Sequence, residues 1–221
     1  MCGRYVSRDQ AAIEREYDIR IIDPFEKIYN AAPTMALPVL RANAAGWHCT
    51  LMHWGLTPSW WSKSEPPNST INARIEEAAS KPMWRQAVRH HRCLVPASGW
   101  YEWQKSGEGG RKQPFYIHAT DDTGLCFAGL WATHLREGVE AHSFAILTRA
   151  AAEELAHIHN RMPVVLPPSA FAEWLDPAVA GSQDLLDQAV AQSLSHFSSY
   201  PVSAYVSSPR NQGEGCIAPL S

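Results

Sequence analysis

The sequence predicts an α+β fold whose core is a strongly curved sheet. Three observations lead to this prediction. Short β-type segments bounded by turn residues recur along the chain, helical patterns are few and interspersed, and no regular strand–helix–strand alternation is present. The 221 residues are 45% hydrophobic, which is sufficient for one well-packed domain, and no feature requires a second one.

The first third of the chain contains one helical pattern among β-type segments. Ser7 and Gln10 have capping-box spacing, and Ile13 and Tyr17 follow at i and i+4, so we predict a helix over 9–17. The other elements predicted in this part are a strand at 3–7, a polar turn at 29–34 and strands at 37–41 and 47–54.

A Pro- and Ser-rich segment over 57–68 contains adjacent tryptophans, Trp60 and Trp61. Regular structure is not expected here, and two adjacent Trp side chains in such a loop cannot both face one core. Either one ring fills the core and the other covers it, or the pair forms an aromatic platform for bases or sugars.

The next segment is basic. Pro82 favours the first turn of a helix over 83–90. Arg85, Arg89 and Arg92, with His90 and His91, form the strongest positive cluster of the sequence. Taken alone, this cluster is typical of a solvated helix face.

The segment 93–103 reads as a strand that enters and leaves a bend, with Glu102 placed between aromatic residues. Glu102 therefore either faces water from a sheet edge or is buried. A buried carboxylate has its pKa raised by desolvation, which suits a general acid.

The remainder of the chain returns to short alternating elements. We predict a hairpin turn at 107–110, followed by strands at 114–119, 125–133 and 142–148 that are joined by turns at 121–124 and 137–138. A helix is predicted from about 150 and ends before 157, and a strand follows at 164–166. The last elements predicted are helices at 169–175 and 184–194, a strand at 202–206 and a polar loop to 219.

Composition excludes several classes of protein. No apolar run approaches a membrane span, and no secretory signal is visible, so we expect a cytoplasmic protein. Five dispersed cysteines without a CxxC motif indicate neither a disulfide framework nor a zinc knuckle, and adjacent His90 and His91 splay too far apart to bind a metal with Cys93. We predict no cofactor and no metal. The net charge of −3 argues against non-specific binding to a polyanion but leaves a local basic groove open.

The chain opens with Met1-Cys2-Gly3-Arg4-Tyr5. Removal of Met1, which a small following residue usually permits, would place a thiol and a free α-amine on adjacent carbons of Cys2. Such an aminothiol can close a thiazolidine ring on an aldehyde, or the thiol alone can attack a carbonyl while the amine acts as base. From these residues alone, Cys2 could equally well open a strand.

Four separated segments, taken in order, resemble the SOS-response-associated peptidase (SRAP) family of abasic-site-processing proteins. They are Met1-Cys2-Gly3-Arg4-Tyr5, Asn72-Ala73-Arg74-x-Glu76, the 93–103 segment with Pro96, Gly99 and Glu102, and His159-x-Arg161-Met162-Pro163. The resemblance extends to Asn211 and Cys216-Ile217-x-Pro219. It implies a single SRAP domain over 1–221, with a mainly antiparallel sheet or barrel core, flanking helices and a groove for single-stranded DNA.

The resemblance also implies roles for individual residues. The catalytic set would be Cys2, Asn72, Glu102 and His159, where His159 is preferred to His157 because it fits the His-x-Arg-Met-Pro spacing. The DNA-contacting set would be Arg4, Asn30, Trp60, Trp61, Arg74, Arg85, Thr148 and Arg161. The implied partner is single-stranded DNA containing abasic sites, bound by a monomer that associates with the nucleoid.

In this interpretation the Cys2 amine forms an imine with the abasic aldehyde, and the thiolate closes a thiazolidine. Weak lyase activity and autocatalytic removal of Met1 are expected side activities. Two alternatives remain open. One is a glutamine amidotransferase with an N-terminal Cys nucleophile, in which Asn211-Gln212-Gly213 would mimic part of the substrate site. The other is a non-catalytic module that binds single-stranded DNA through stacked Trp and Arg.

Overall fold

The structure is a computed structural model that describes residues 2–21, 23–63, 65–105, 110, 112–121, 123–136 and 138–220. Within these ranges the chain forms ten strands and five α-helices, which confirms the α+β prediction. The strands are β1 (Tyr5–Ser7), β2 (Ala36–Asn43), β3 (Gly46–Trp54), β4 (Asn72–Arg74), β5 (Arg92–Gln104), β6 (Gln113–His118), β7 (Leu125–Arg136), β8 (Val139–Ala150), β9 (Arg161–Pro163) and β10 (Ser198–Pro201). The helices are α1 (Gln10–Tyr17), α2 (Ile75–Ala78), α3 (Arg85–His90), α4 (Pro168–Leu175) and α5 (Gln183–Gln192).

Five strands close into a barrel in the order β2, β3, β8, β7, β5 and back to β2. Four of the five contacts are antiparallel, and the β3–β8 contact is parallel. The single register pair Leu40–Leu94 joins β2 to β5 and completes the ring. The curved, mainly antiparallel core expected from the sequence is therefore confirmed.

Alternation along the strands divides the apolar residues between two faces. Residues of all five barrel strands, such as Val39, Met52, Val95, Phe127 and Phe144, share one buried cluster inside the barrel. The alternate positions face outward, and many of them pack beneath the helices. Examples are Leu40, Leu94, Ala128 and Ala145, which belong to the same cluster as Trp174 and Leu186.

The remaining strands extend the sheet around one end of the barrel. β1 and β6 pair with β5, and β10 pairs with β6. β4 and β9 both pair with the C-terminal half of β8, in parallel and antiparallel orientation respectively. Gly99 permits the close approach of β5 and β6, since a Cβ there would lie 2.5 Å from the carbonyl oxygen of Ile117.

Several predicted elements differ from the observed ones near the start of the chain and around α3. Helix α1 is capped by Asp9, whose carboxylate accepts from the Ala12 N–H at 2.9 Å, whereas the Ser7 hydroxyl accepts from Ile28. α3 is shorter than predicted because the preceding residues form turns. β5 is one continuous strand, and within the segment where a bend was predicted its register shifts opposite Val6 and Ser7 as its partner changes from β7 to β6.

The predicted helix after residue 150 is wrong. Only a 3₁₀ turn at Glu153–Leu155 forms, because the N–H groups of Ala151 and Ala152 bond to Asn160 and to the sulfur of Met162. The predicted strand at 164–166 is also misplaced. In this part of the chain the strand that pairs with the end of β8 is β9, whereas Val165 forms an isolated bridge to Phe127 of β7.

The predicted strand at 202–206 is a 3₁₀ turn at Ala204–Ser207, and the true strand β10 precedes it. Most of the predicted turn at 107–110 lies outside the described residues, as do position 122 of the 121–124 turn and position 137 of the 137–138 turn. In the described part of the chain, no helix is long and apolar enough to cross a bilayer.

Candidate functional site

The register between β1 and β5 determines where Cys2 lies. Tyr5 pairs with Trp100, and the Tyr101 N–H donates to the Arg4 carbonyl at 3.0 Å. Continuing in this antiparallel direction, the residues before Arg4 run alongside the C-terminal half of β5, which contains Glu102. Cys2 is fully buried there, in the apolar cluster that fills the barrel.

Glu102 is the buried carboxylate of this region, with 3% of its surface exposed. Desolvation raises its pKa from an ordinary value of 4.5 to about 7. The buried alternative from the sequence is therefore the correct one. Burial, followed by the charge of Glu102, also raises the pKa of the Cys2 thiol well above its usual range. Glu102 can accordingly give or take a proton near neutral pH, whereas the thiol stays protonated.

Asn72 binds the main chain of Cys2. Its position on β4 is set by parallel pairing with Ile146 of β8, and its Nδ2 donates to the Cys2 carbonyl at 2.7 Å. The Oδ1 atom of the same amide is buried and makes no hydrogen bond to any residue that the structure describes. A buried amide oxygen without a donor is a ready acceptor for an N–H or O–H group beside Cys2.

His159 follows the 3₁₀ turn and precedes β9. His159 Nδ1 lies 3.0 Å from the Arg161 backbone nitrogen and 3.3 Å from the Arg161 carbonyl oxygen. Burial lowers the pKa of His159, which keeps the ring neutral at physiological pH. His157 is exposed, and its carbonyl accepts from the Gln104 amide at 3.2 Å. This contact ties the segment that carries His159 to the end of β5.

Two further observations place these groups together. Ile158 and Met162, the neighbours of His159, share the apolar cluster that contains Cys2. The charge of Glu102 also acts on the Cys2 thiol and raises its pKa, after the larger effect of burial. The structure thus places an amide and a carboxyl of near-neutral pKa next to Cys2, and it places the His159 imidazole in a segment that packs on the same apolar cluster.

Arg161 makes a bidentate ion pair with Glu76, at 2.7 and 2.9 Å, and donates to the Thr148 carbonyl at 2.6 Å. The pair lowers the pKa of Glu76. Because β4 and β9 lie on either side of β8, the Arg161 side chain spans β8 from β9 to the beginning of α2. Glu76 belongs to the Asn-Ala-Arg-x-Glu segment, but sequence reasoning gave it no role.

Arg4 and Asn30 bind the C-terminal part of the chain. Arg4 donates to Asn30 Oδ1 and to the carbonyls of Val206 and Ser207, and Asn30 Nδ2 donates to the carbonyls of Val206, Ser208 and Asn211. Asn30 and Thr148 are both fully buried. In this structure both side chains are packed inside the protein, and the DNA-contacting role expected for Asn30 and Thr148 stays a prediction.

The tail amides are also occupied. Gln212 bonds to the main chain of Asn30 through both its oxygen and its nitrogen, and Asn211 donates to the Tyr205 carbonyl. These contacts hold the C-terminal segment against Asn30. Asn211 and Gln212, to which the amidotransferase alternative gives a part in the substrate site, are therefore engaged in hydrogen bonds within the protein.

The remaining residues of the expected DNA-contacting set lie at the surface. Trp60 is 53% exposed, while the neighbouring Trp61 donates its indole N–H to the Glu65 carbonyl and is half-buried. The two ring centroids are 5.9 Å apart. Neither ring fills the core, so the platform alternative fits the structure better.

The two exposed arginines of the set differ in position. Arg74 is exposed and lies two residues after Asn72, so both side chains project from the same face of β4. Arg85 is exposed at the start of α3, which leads away from α2 toward the first residues of β5. The basic cluster of the sequence is divided, because Arg92 is buried and bonds only to main-chain carbonyls.

Comparison with known proteins gives concordant relatives. The chain is 35% identical to the abasic site processing protein YedK of Escherichia coli, over the full length of both chains, and 30% identical to the abasic site processing protein YoaM of Bacillus subtilis, over 96% and 95% of the respective chains. A crystal structure of a protein from Bacteroides thetaiotaomicron superposes with a TM-score of 0.85 at 20% identity, covering all of both chains. The model of the SOS response associated peptidase (SRAP) family matches residues 1–209, and the chain belongs to this family.

Proposed function

We propose that this protein processes abasic sites in DNA, and that it does so by covalent capture of the sugar aldehyde at Cys2. The observation that carries the proposal is the position of Cys2: its carbonyl is fixed by Asn72 at 2.7 Å, beside a buried Glu102 whose pKa is about 7. The names of the relatives, which are abasic site processing proteins over almost the whole of their length, support the same role.

The first step is the removal of Met1, which frees the Cys2 amine. Asn72 binds the carbonyl of Cys2 itself, on the far side of the residue from the Met1–Cys2 bond. Cleavage of that bond therefore leaves the Asn72 contact in place. The new amine is then available to the Asn72 Oδ1, which lacks a donor among the described residues. Glu102 is the acid–base group suited to this autocatalytic cleavage.

The covalent step balances without an oxidant or a cofactor. The Cys2 amine adds to the C1′ aldehyde of the ring-opened abasic sugar, and loss of water gives an imine. The Cys2 sulfur then adds to the imine carbon, its proton passes to the nitrogen, and a thiazolidine forms. The net reaction joins the protein and the DNA with the release of one water molecule.

Proton transfer is the task of Glu102 and His159. Loss of hydroxide from the carbinolamine needs an acid, and a Glu102 carboxyl with a pKa near 7 supplies a proton at neutral pH. Burial raises the pKa of the Cys2 thiol and keeps it protonated, so the thiol must give up this proton when the sulfur attacks. The neutral His159 can accept a proton at such a step. Imine formation also allows β-elimination of the 3′ phosphate, which would appear as weak lyase activity.

We propose that single-stranded DNA approaches across the outer edge of β4, the last strand in the sheet order. We also propose that the protein acts as a monomer, on nucleoid DNA in the cytoplasm. Arg74 projects on the Asn72 side of this strand, and the exposed Trp60 ring supplies a surface on which a base can stack. A phosphate bound by Arg161 would lie next to the carboxylate of Glu76, with which Arg161 forms an ion pair. For Arg4 and Arg85, a contact with the DNA backbone stays a prediction from the family resemblance.

The experiment is incubation with a single-stranded oligonucleotide whose uracil has been excised, followed by denaturing electrophoresis. We expect a shifted, heat-stable band for the wild type and none for Cys2→Ala. Cys2→Ser keeps the amine but lacks the sulfur, so it should yield an adduct only after borohydride reduction. A stable band from Cys2→Ala would overturn the proposal, and equal non-covalent affinity with no adduct from any variant would favour the binding-module alternative.

A further inference from the structure

The end of the barrel opposite Cys2 carries an unusual set of side chains. β5 begins at Arg92 and reaches Glu102 ten residues later, which corresponds to about 33 Å along the strand. At its beginning, the inward-facing positions of the five barrel strands become mainly polar, around a single tryptophan. The residues at these positions are Arg41 on β2, His48 on β3, His91 directly before β5, Trp131 on β7 and His142 on β8.

The strand registers establish that these positions point inward. Arg41 and His48 are direct cross-strand partners, two residues beyond the interior Val39. Trp131 pairs with the interior Phe144, and its N–H donates to the His91 carbonyl at 2.8 Å, which continues the β5–β7 ladder. All five residues are half-buried. They therefore form a polar closure of the barrel core, which we call the barrel-end cluster.

Trp131 is the centre of this cluster. The guanidinium carbon of Arg41 lies 4.5 Å from the ring centroid, and the His91 ring centroid also lies 4.5 Å away at an interplanar angle of 45°. The edge of His142 meets the same ring at 5.7 Å and 84°. These contacts fix a cation and two imidazoles around one aromatic surface.

The Nε atom of Arg41 is shielded from solvent and makes no hydrogen bond with any residue that the structure describes. Burial lowers its pKa, and Glu140, the nearest carboxylate to act on it, raises it only in part. The Glu140 side chain is 66% exposed and lies 3.6 Å from His142 Nε2. The Arg41 guanidinium thus places a positive charge and forked N–H donors beside two imidazoles, a combination that suits recognition of an oxyanion.

We propose that the barrel-end cluster binds a small doubly charged oxyanion of the phosphate or sulfate type, free or as the phosphate group of a nucleotide. Arg41 supplies positive charge and two parallel N–H donors, and His48 and His91 supply imidazole N–H groups. Trp131 supplies the aromatic surface against which the anion lies. A metal ion is a poorer fit, because among the described residues no three His, Cys, Asp or Glu side chains are arranged to hold one.

Binding of a dianion should be linked to proton uptake. The pKa values of His48, His91 and His142 are lowered, first by burial and then by neighbouring positive charge, to which Arg41 contributes in each case. A bound dianion reverses the sign of that local charge and raises these pKa values. Affinity is then expected to increase as the pH falls from about 8 to about 6. The negative charge of the exposed Glu140 disfavours binding of an anion. A protonated His90, whose ring centroid is 6.5 Å from that of His91, favours such binding.

The test uses sulfate, which keeps its charge over this range of pH. Histidine ring signals of the full chain are followed by ¹⁵N nuclear magnetic resonance during titration with sodium sulfate, at ionic strength matched by sodium chloride. We expect the pKa values of His48, His91 and His142 to rise in sulfate, whereas that of His196, whose side chain is 87% exposed, stays constant. Arg41→Gln should weaken the response about tenfold or more, and Arg15→Gln, at an exposed site on α1, should not.

Arg41→Lys is the second variant, since it retains the charge and the packing but not the forked donor, and it should give an intermediate response. Equal shifts at His196 and at the cluster, or an unchanged response in Arg41→Gln, would overturn the proposal. Titration with inorganic phosphate, a nucleoside monophosphate and an undamaged oligonucleotide then distinguishes the sources of the anion. None of these results depends on the chemistry at Cys2.

Discussion

Replacement of Glu102 by Gln should stabilise the protein, and the gain should depend on pH. A carboxyl whose pKa is raised in the folded state stays protonated above the unfolded pKa, so the folded state binds the extra proton and loses stability as the pH rises. The shift from 4.5 to about 7 corresponds to about 3 kcal/mol, reached above pH 7 and absent below pH 4.5. Glutamine has no proton to lose and avoids this loss.

The assay is urea unfolding of wild type and Glu102→Gln at pH 5 and pH 8. We expect the two proteins to differ little at pH 5, and the variant to be more stable by about 3 kcal/mol at pH 8. Glu26→Gln, at an exposed position, serves as the control and should show no such dependence. The same difference in unfolding free energy at both pH values would refute the buried, near-neutral carboxyl on which the proposed chemistry depends.

Three further substitutions test the fold that positions the site. Arg92→Ala removes five hydrogen bonds to main-chain carbonyls and should lower the unfolding free energy by about 3 kcal/mol or more, whereas Arg89→Ala, at an exposed position, should change it by less than about 0.5 kcal/mol. Gly99→Ala places a Cβ 2.5 Å from a carbonyl of β6 and should cost about 2 kcal/mol in chemical denaturation, while Gly215→Ala, with its nearest neighbour at 3.9 Å, should be tolerated. Asp9→Ala removes the cap of α1 and should cost about 1 kcal/mol, with Asp9→Asn restoring most of it; no change in either case would contradict the observed cap.

The sequence was most informative where local pattern and burial agree. The barrel strands β2, β3, β7 and β8 were predicted within a few residues because their apolar alternation persists over most of each strand. The helices α4 and α5 were predicted almost to their ends because their apolar residues recur every three to four positions. Closure into a barrel was not derivable from pattern, since it depends on one β2–β5 register pair between Leu40 and Leu94.

The errors arose where tertiary contacts override local preference. The segment after Ala150 has helical composition, but its N–H groups bond to Asn160 and Met162 instead. Ser7 has capping-box spacing, yet its hydroxyl is used by Ile28, and Asp9 takes the cap. No single-sequence signal distinguishes these outcomes.

The proposed catalytic set came from the ordered segments of the SRAP resemblance. The structure places Asn72 and Glu102 next to Cys2, and His159 in a segment packed on the same apolar cluster. The surface set was less predictable. Asn30 and Thr148 are buried, and the ion pair of Arg161 with Glu76 joins segments 85 residues apart. The barrel-end cluster was also invisible in sequence, because its five members come from five different strands or strand borders.

The most direct measurement is the intact mass of the covalent adduct formed with an abasic oligonucleotide, together with sequencing of its amino-terminal peptide. We predict a conjugate that lacks Met1 and equals the sum of protein and DNA minus one water, with the modified residue at Cys2. A stable conjugate in which Met1 is retained, or one attached at a residue other than Cys2, would contradict the proposed capture of the aldehyde by an aminothiol.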